Sequence, residues 1–267
     1  MVSSCPRLAV KMSMKPSPEI SVCRAILLVA GRGSRLDPIT SDLPKCLIEI
    51  EGRSLLERLL DQLESIGIEE VVLATGYLHE KLEAAVAQWN HDLSIVTAYT
   101  EDYATENNAV SLGGAMEALG GEGFLLIDGD VLLLQGRRLQ ELAADTNENV
   151  LTVMRPEAMG AEEMKVEVDE ATGRILRLGK GLEEATAFGE SLGIQKIGPK
   201  IFDELLARLN GLSADERRDL YYEDVFAELI DDGADFFARQ IPIGEWTEID
   251  TVEDLEAARA MAASWSS

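Results

Sequence analysis

Residues 25–45, AILLVAGRGSRLDPITSDLPK, constrain the fold more than any other part of the sequence. Ala25, Ile26, Leu27, Leu28, Val29 and Ala30 form a continuous apolar run that stops at Gly31. A run of this length bounded by glycine is the pattern of a strand buried on both faces of an α/β sheet. The loop beyond it carries Gly31, Gly33, Ser34 and Arg35 and closes on Pro44 and Lys45. Glycines let backbone N–H groups approach phosphate oxygens, and Arg35 and Lys45 add fixed cations. The spacing has neither the third glycine of a dinucleotide fingerprint nor the Gly-Lys-Ser/Thr of a P-loop. Taken alone, Gly-x-Gly reads as a turn with surface basic residues, so its meaning depends on the rest of the chain.

The chain that follows alternates strand and helix patterns. Ser54 is placed to cap a helix, with Glu57 completing a capping box, and Leu55, Leu56, Leu59, Leu60, Leu63 and Ile66 follow at helical spacing up to Gly67. Residues 70–75 predict a second buried strand, 78–89 a helix and 94–99 a β-branched third strand. A polar loop from Thr100 runs into a helix through Val110, Leu112 and Met116, and an apolar strand over 124–127 ends on Asp128-Gly129-Asp130. This alternation predicts a Rossmann-like, three-layer α/β/α fold with a mostly parallel central sheet. Ligands in such sheets bind outside the carboxyl ends of the strands, near a switch in strand order.

The second half is less regular. Residues 150–154, 164–168 and 174–178 read as strands of a more antiparallel region, which makes the sheet mixed, and 192–197 as another strand. Helices are expected over 201–209, 222–230 and 252–261, with a short strand over 236–241. Residues 1–22 lack apolar periodicity and contain Met12 and Met14, so a disordered extension or an early start codon is expected there, and a single domain over 23–267.

Charge narrows the partners. With 49 acidic and 24 basic residues the net charge is -25, which opposes broad contact with nucleic acid or an anionic membrane. No apolar stretch is long enough to cross a bilayer, and a cytoplasmic protein is expected. An anionic substrate must be held against this field by a local cluster of Arg and Lys. Cys5, Cys23 and Cys46 have no metal-type spacing and read as reduced thiols.

The segment LLVAGRGSRLDPITSDLPKCLIEI resembles the nucleotidyltransferase signature of sugar-nucleotide pyrophosphorylase-like enzymes: an apolar strand, then A-G-x-G-[ST]-R-L, P-x-T and P-K. The likeness extends through the helix at Ser54 and VVLATGY. It implies that Ala30, Gly31, Gly33 and Ser34 wrap a nucleoside triphosphate, that Arg35 contacts its β- and γ-phosphates, and that Lys45 lies near the reacting α-phosphate.

By residue type alone, Asp128, Asp130 and the Glu248-Ile249-Asp250 run read as turn caps in so acidic a chain. The resemblance implies that Asp130 and Asp250 hold Mg²⁺, with Asp128 the second choice for metal and otherwise a nucleotide neighbour. Magnesium suits them because it commonly takes one or two carboxylates plus substrate phosphates.

DYATENNAVSL resembles the matching segment of cytidylyltransferases that activate phosphocholine and related compounds, which favours CTP and places Asn107, Asn108 and Ser111 at the nucleotide. An N-cap is an equal reading of Asn107 by residue type. The resemblance further assigns Lys180 to the acceptor phosphate and Glu190 to the acceptor pocket. A cationic acceptor would also favour Tyr221, Tyr222, Glu223 and Trp246. His79 and His91 fall outside every motif.

The implied reaction is Mg²⁺-dependent transfer of a cytidylyl group from CTP to phosphocholine, a phosphonate or a polyol phosphate, releasing pyrophosphate. The alternatives are a sugar-1-phosphate nucleotidyltransferase using UTP, dTTP or GTP, and a non-catalytic nucleotide-binding protein on the same fold. Retention of Arg35, Lys45 and both aspartates weighs against the last.

Overall fold

A computed structural model describes residues 20–156 and 159–265. Most of the extension expected over residues 1–22 lies outside the described residues. Ser21 already donates its backbone N–H to the Ala143 carbonyl at 2.9 Å, and Val22 is buried.

The chain opens with β1 (Arg24–Val29), a two-residue hairpin of β2 (Glu49–Ile50) and β3 (Arg53–Ser54), and helix α1 (Leu55–Ser65). Then come β4 (Glu70–Thr75), α2 (His79–Val86), β5 (Ser94–Tyr99), α3 (Asn108–Leu119), β6 (Phe124–Asp128), β7 (Val131–Leu133) and α4 (Arg137–Ala143). The second half comprises β8 (Val150–Met154), β9 (Lys165–Val168), β10 (Ile175–Gly179), β11 (Gly189–Ile197), α5 (Phe202–Gly211), α6 (Ala214–Asp219), α7 (Tyr222–Asp231), β12 (Phe237–Gln240), β13 (Trp246–Glu248) and α8 (Val252–Trp265).

The main sheet runs β10-β9-β11-β6-β1-β4-β5, with β8 and β12 joined through β11. Strands β6, β1, β4 and β5 are parallel, whereas β11 is antiparallel to β6, β8 and β9. The chain builds outward from β1 through β4 to β5, then returns to place β6 on the other side of β1. The switch in strand order therefore falls between β1 and β6, at the end of the glycine loop.

Side-chain alternation builds the layers. Ile26, Val72, Phe124 and Leu126 pack with α3, α5 and α7, while Ala25, Leu27, Val71, Leu73, Leu125 and Ile127 pack with α1, α2 and α4. A third cluster joins Leu36, Ile48, Ile50, Leu132, Ile249 and Leu255, so that α8 backs the glycine loop. Thus the mixed, mostly parallel α/β fold expected from the sequence is the fold found, with helices on both faces.

Details differ. Ser54 Oγ accepts the Glu57 N–H at 3.1 Å, but Glu57 turns its carboxylate to Arg53 rather than closing the box. Gly67, at φ +94°, ends α1 as expected. The helix expected through Val110, Leu112 and Met116 begins at Asn108, with Asn107 as its cap. Helices α4 and α6 were not legible, being a single short turn or two each, and α6 buries none of its side chains.

The β7–β13 ladder was also hidden, since each strand has three residues. It pairs Val131 with Glu248 and Leu133 with Trp246, and the Ile249 N–H donates to the Asp130 carbonyl at 3.1 Å. Arg138 of α4 holds the entry to β13 by a two-pronged contact with Glu245, Nε to Oε2 at 2.6 Å and Nη2 to Oε1 at 3.0 Å. This pair is mostly buried, so salt screens it weakly. Arg138→Ala leaves the Glu245 carboxylate without its main partner and is expected to cost about 1–3 kcal/mol. Urea unfolding at low and high salt would measure the loss, which should be nearly the same at both.

Candidate active site

At the carboxyl ends of β1 and β6 lies a cleft of about 860 Å³. Ala30, Gly31, Gly33, Ser34 and Arg35 form one wall, Asn107, Asn108 and Ser111 a second, and Lys180, Glu190, Tyr221 and Trp246 the far end; Lys45, Asp128, Asp130 and Asp250 form the floor. Of the residues singled out for nucleotide, metal or acceptor, all but the buried Tyr222 thus line one cleft.

Gly33 turns the loop at φ +66°, and a Cβ there would stand 2.9 Å from Lys45 Cδ. A side chain at this position would collide with the lysine stem and strain the backbone. Thr40 Oγ1 donates to the Gly33 carbonyl at 2.8 Å, and fully buried Leu36 pins the loop to the third cluster. Lys45 follows in a tight turn whose next residue, Cys46, is buried; burial pushes the Cys46 thiol up to about 12, which makes it inert. Cys23 is also a free thiol, and Cys5 lies outside the described residues.

Lys45 Nζ donates to Asp130 Oδ2 at 2.8 Å and to Asp250 Oδ1 at 2.6 Å. Burial works against its ammonium, but the two carboxylates outweigh burial and raise its pKa. Asp250 is in turn held below the usual carboxylate range: burial opposes this, and Lys45 and Arg35 overcome it. Arg35 reaches the second oxygen of Asp250 while its side chain stays 68% exposed.

The acidic residues around this lysine suit a hard cation. Oxygens of Asp130, Glu248 and Asp250 lie within 4.8 Å of one another. Asp130 Oδ1 is buried without a hydrogen-bond partner, a costly state that a bound cation would relieve. Glu248 is exposed to the cleft; desolvation first, then Asp130 and Asp250 beside it, push its carboxyl up to about 8. The donor set therefore fits magnesium, with Glu248 added to the expected pair.

Asp128 belongs to a different environment. It lies deeper, and burial first, then Asp130, Glu223 and Glu248, raise its pKa well above the carboxylate range. Tyr222 Oη donates to Asp128 Oδ2 at 3.0 Å, and Gln195 Nε2 donates to Tyr222 Oη at 3.1 Å. Gly193 curves around this carboxyl at φ +67°, where a Cβ would stand 2.4 Å from Asp128 Oδ2. Tyr222 is thus a buried supporting residue rather than a surface for an acceptor.

On the second wall, Asn107 Oδ1 accepts the Asn108 N–H at 2.8 Å, Asn108 Oδ1 accepts the Tyr222 N–H at 3.1 Å, and Ser111 Oγ accepts from Thr100 Oγ1 at 3.2 Å. At the far end Lys180 Nζ stands 4.1 Å from the Tyr221 ring centroid and 3.5 Å from Glu162. Glu223 is buried there, and burial pushes its carboxyl up to about 7, with Ser191 and Lys180 opposing.

Glu106, Glu162, Glu163 and Asp254 also line the cleft and were missed. Thr251 and Asp254 could have been found. Asp254 accepts the Thr251 N–H and Thr251 Oγ1 accepts the Asp254 N–H, the reciprocal cap that Thr-x-x-Asp announces. Glu162 and Glu163 sit in a segment without periodicity and gave no signal.

A glycine-rich loop and a lysine gripped by two aspartates, at the switch point of such a sheet, make up the kind of site found in nucleotide-transferring enzymes. The chain belongs to the family of MobA-like NTP transferase domains, which matches residues 25–214. It is 34% identical over 140 residues to the CMP-5'-(3-aminopropyl)phosphonate synthase of Streptomyces rubellomurinus, covering 52% of this chain and 22% of that one. It is also 34% identical over 114 residues to the D-glycero-alpha-D-manno-heptose 1-phosphate guanylyltransferase of Aneurinibacillus thermoaerophilus, covering 41% of this chain and 47% of that one. The chain thus spans less than half of either relative's length. The choline-phosphate cytidylyltransferase of Streptococcus pneumoniae aligns at 26% identity over 86% of this chain and 94% of its own. In three dimensions the inositol-1-phosphate CTP transferase of T. maritima superposes with a TM-score of 0.74 at 23% identity, over 90% of this chain and 95% of that one, which is a likeness of fold. No helix among the described residues is long and apolar enough to cross a membrane.

Glu190 pairs with Lys165 of β9 across the sheet, and burial first, then Glu163, push its carboxyl up to about 7 against the opposing Lys165. The folded state thus favours the protonated form. Its contribution to stability is full below the ordinary glutamate value of 4.5 and is lost as pH rises through about 7. Glu190→Gln is therefore expected to gain stability relative to the wild type between pH 5 and pH 8. Paired thermal melts across that range test this; a constant difference would contradict it.

Proposed function

We propose that the protein is a magnesium-dependent cytidylyltransferase that joins the CMP unit of CTP to a small phosphorylated acceptor, releasing pyrophosphate. The observation that carries this reading is Lys45, fixed between Asp130 and Asp250 beside the glycine loop. An oxygen of the acceptor phosphate or phosphonate attacks the α-phosphorus, a new O–P bond forms, and the bond to pyrophosphate breaks. That oxygen is already anionic, so no side-chain base is needed, and catalysis rests on positioning and charge neutralisation.

Each wall then has a task. The backbone of residues 30–34 cradles the phosphates, and the exposed Arg35 side chain turns from Asp250 to the β- and γ-phosphates. The Lys45 ammonium meets the charge that grows on the α-phosphate. Asp130 and Asp250, with Glu248, would hold Mg²⁺, which supplies further charge neutralisation to the triphosphate. Lys180 faces the acceptor phosphate, and Glu190, Tyr221 and Trp246 form the pocket for the rest of the acceptor. Support for CTP comes from DYATENNAVSL and from the near full-length alignment with a choline-phosphate cytidylyltransferase.

Lys45→Ala is expected to lower turnover by about 10²-fold or more, with a cooperative melt retained, in a pyrophosphate-release assay. Unchanged turnover would sink the assignment. The same assay with CTP, UTP, dTTP and GTP against phosphocholine, an aminoalkylphosphonate, inositol phosphate and a sugar 1-phosphate should give release with CTP. Turnover with a sugar 1-phosphate and UTP, dTTP or GTP instead would favour the sugar-nucleotide reading.

A further inference from the structure

The two aspartates read as magnesium ligands are already paired with the protein's own cations. Lys45 Nζ donates to Asp130 Oδ2 at 2.8 Å and to Asp250 Oδ1 at 2.6 Å, and Arg35 Nη2 donates to Asp250 Oδ2 at 2.5 Å. Of their four oxygens, only the buried Asp130 Oδ1 has no partner among the described residues. Two positive side chains thus balance two carboxylates. A divalent ion arriving alone meets both cations within hydrogen-bond reach of the oxygens it needs, and like charges that close repel strongly in a partly buried site. Glu248, the third acid, has no ion pair among the described residues. One free carboxylate is a poor seat for magnesium, which is commonly held by one or two carboxylates together with substrate phosphates.

The two cations are not held alike. The Lys45 side chain is 10% exposed, its stem runs against Gly33, and it satisfies both aspartates. Arg35 is 68% exposed, and its one ion pair among the described residues is with Asp250. A pair so open to water is weak, because solvent screens it and a long side chain must be ordered to make it. Arg35 stands in the short turn Ser34–Leu36, where fully buried Leu36 fixes the backbone while the guanidinium stays in the cleft. Gly31 and Gly33 line the same cleft. A triphosphate on the glycine loop therefore offers Arg35 oxygens of greater charge, in a geometry that its planar fork pairs two at a time.

We propose that Arg35 holds the metal carboxylates closed to a free divalent ion, and that the site takes the ion only together with a triphosphate, which draws Arg35 away. This rests on the reading of Asp130 and Asp250 as metal ligands, and it does not depend on which base the nucleotide carries. When Arg35 leaves, Asp250 loses one of its two cations and the aspartate pair regains a net negative charge. Nucleotide and ion then favour each other's binding beyond the bond that they share, and the coupling is reciprocal.

The test uses Mn²⁺ as a spectroscopic stand-in for Mg²⁺, with free ion read by electron paramagnetic resonance. A chain this acidic holds some Mn²⁺ loosely on its surface, so the quantity compared is the uptake that Asp130→Asn removes. The wild type is expected to show little of it. Arg35→Gln, at an exposed position and checked by its melting temperature, is expected to bind Mn²⁺ alone about tenfold more tightly. Arg32→Gln removes the same charge from the same loop but pairs with Asp37 and not Asp250, so it is expected to behave as the wild type. Adding CTP to the wild type is expected to bring Mn²⁺ onto the protein, seen as faster relaxation of water protons. No gain in Arg35→Gln, or an equal gain in Arg32→Gln, overturns the proposal. A gain that persists in the Arg35→Gln, Asp130→Asn double variant places the ion elsewhere and overturns the metal-ligand reading with it. A gain in Arg35→Gln without uptake of Mn²⁺ by the wild type on adding CTP overturns CTP as the nucleotide and leaves the hold of Arg35 on the site standing.

Discussion

The contact on which the site depends is the salt link of Lys45 to Asp130 and Asp250. It brings together a loop after the first strand, a turn after the central strand and the approach to the last helix. A lysine as buried as this one is tolerable only because two carboxylates meet it, and those carboxylates could not stand so close without the lysine. Lys45 and Asp250 are therefore each held in the ionised state by their neighbours. This paired cation lies inside a chain whose net charge is -25.

Two devices make that contact possible. The glycine loop must bend sharply enough to let the Lys45 stem pass, which Gly33 permits by its left-handed backbone and missing Cβ. The β7–β13 ladder must carry Asp250 beside Asp130 from far along the chain. Three residue pairs are a small ladder, and it is reinforced by Arg138 on Glu245 and by the buried Leu132 and Ile249 beneath it. The apolar cluster behind the loop thus acts on the chemistry indirectly, by fixing the backbone from which the charged groups project.

Much of the fold could be read from residue patterns. The continuous apolar runs of β1, β4 and β6 follow from burial on both faces, and α1 from its leucines, its serine cap and its closing glycine. What escaped were elements without periodicity long enough to register: the short ladder, α4, and α6, whose residues are all polar except Ala214. The same limit applies in the cleft. Asp130 and Asp250 were found by motif, whereas Glu162 and Glu163 lie in an unpatterned stretch. Glu106 looked like one more acid in a polar loop until Arg217 was seen against it. Tyr222 was expected near an acceptor, but its place is set by the ring's need for the core and by its hydroxyl's need for Asp128.

The sequence by itself determined the layer architecture and the glycine loop, because both depend on local spacing: apolar residues in continuous runs, glycines two apart, a lysine after a proline. Tertiary structure alone decided which acids gather beside Lys45, which are pushed toward their neutral forms and which way the amides of Asn107 and Asn108 face. Those properties depend on distance and desolvation between groups far apart in the chain, and a list of residues carries no distances.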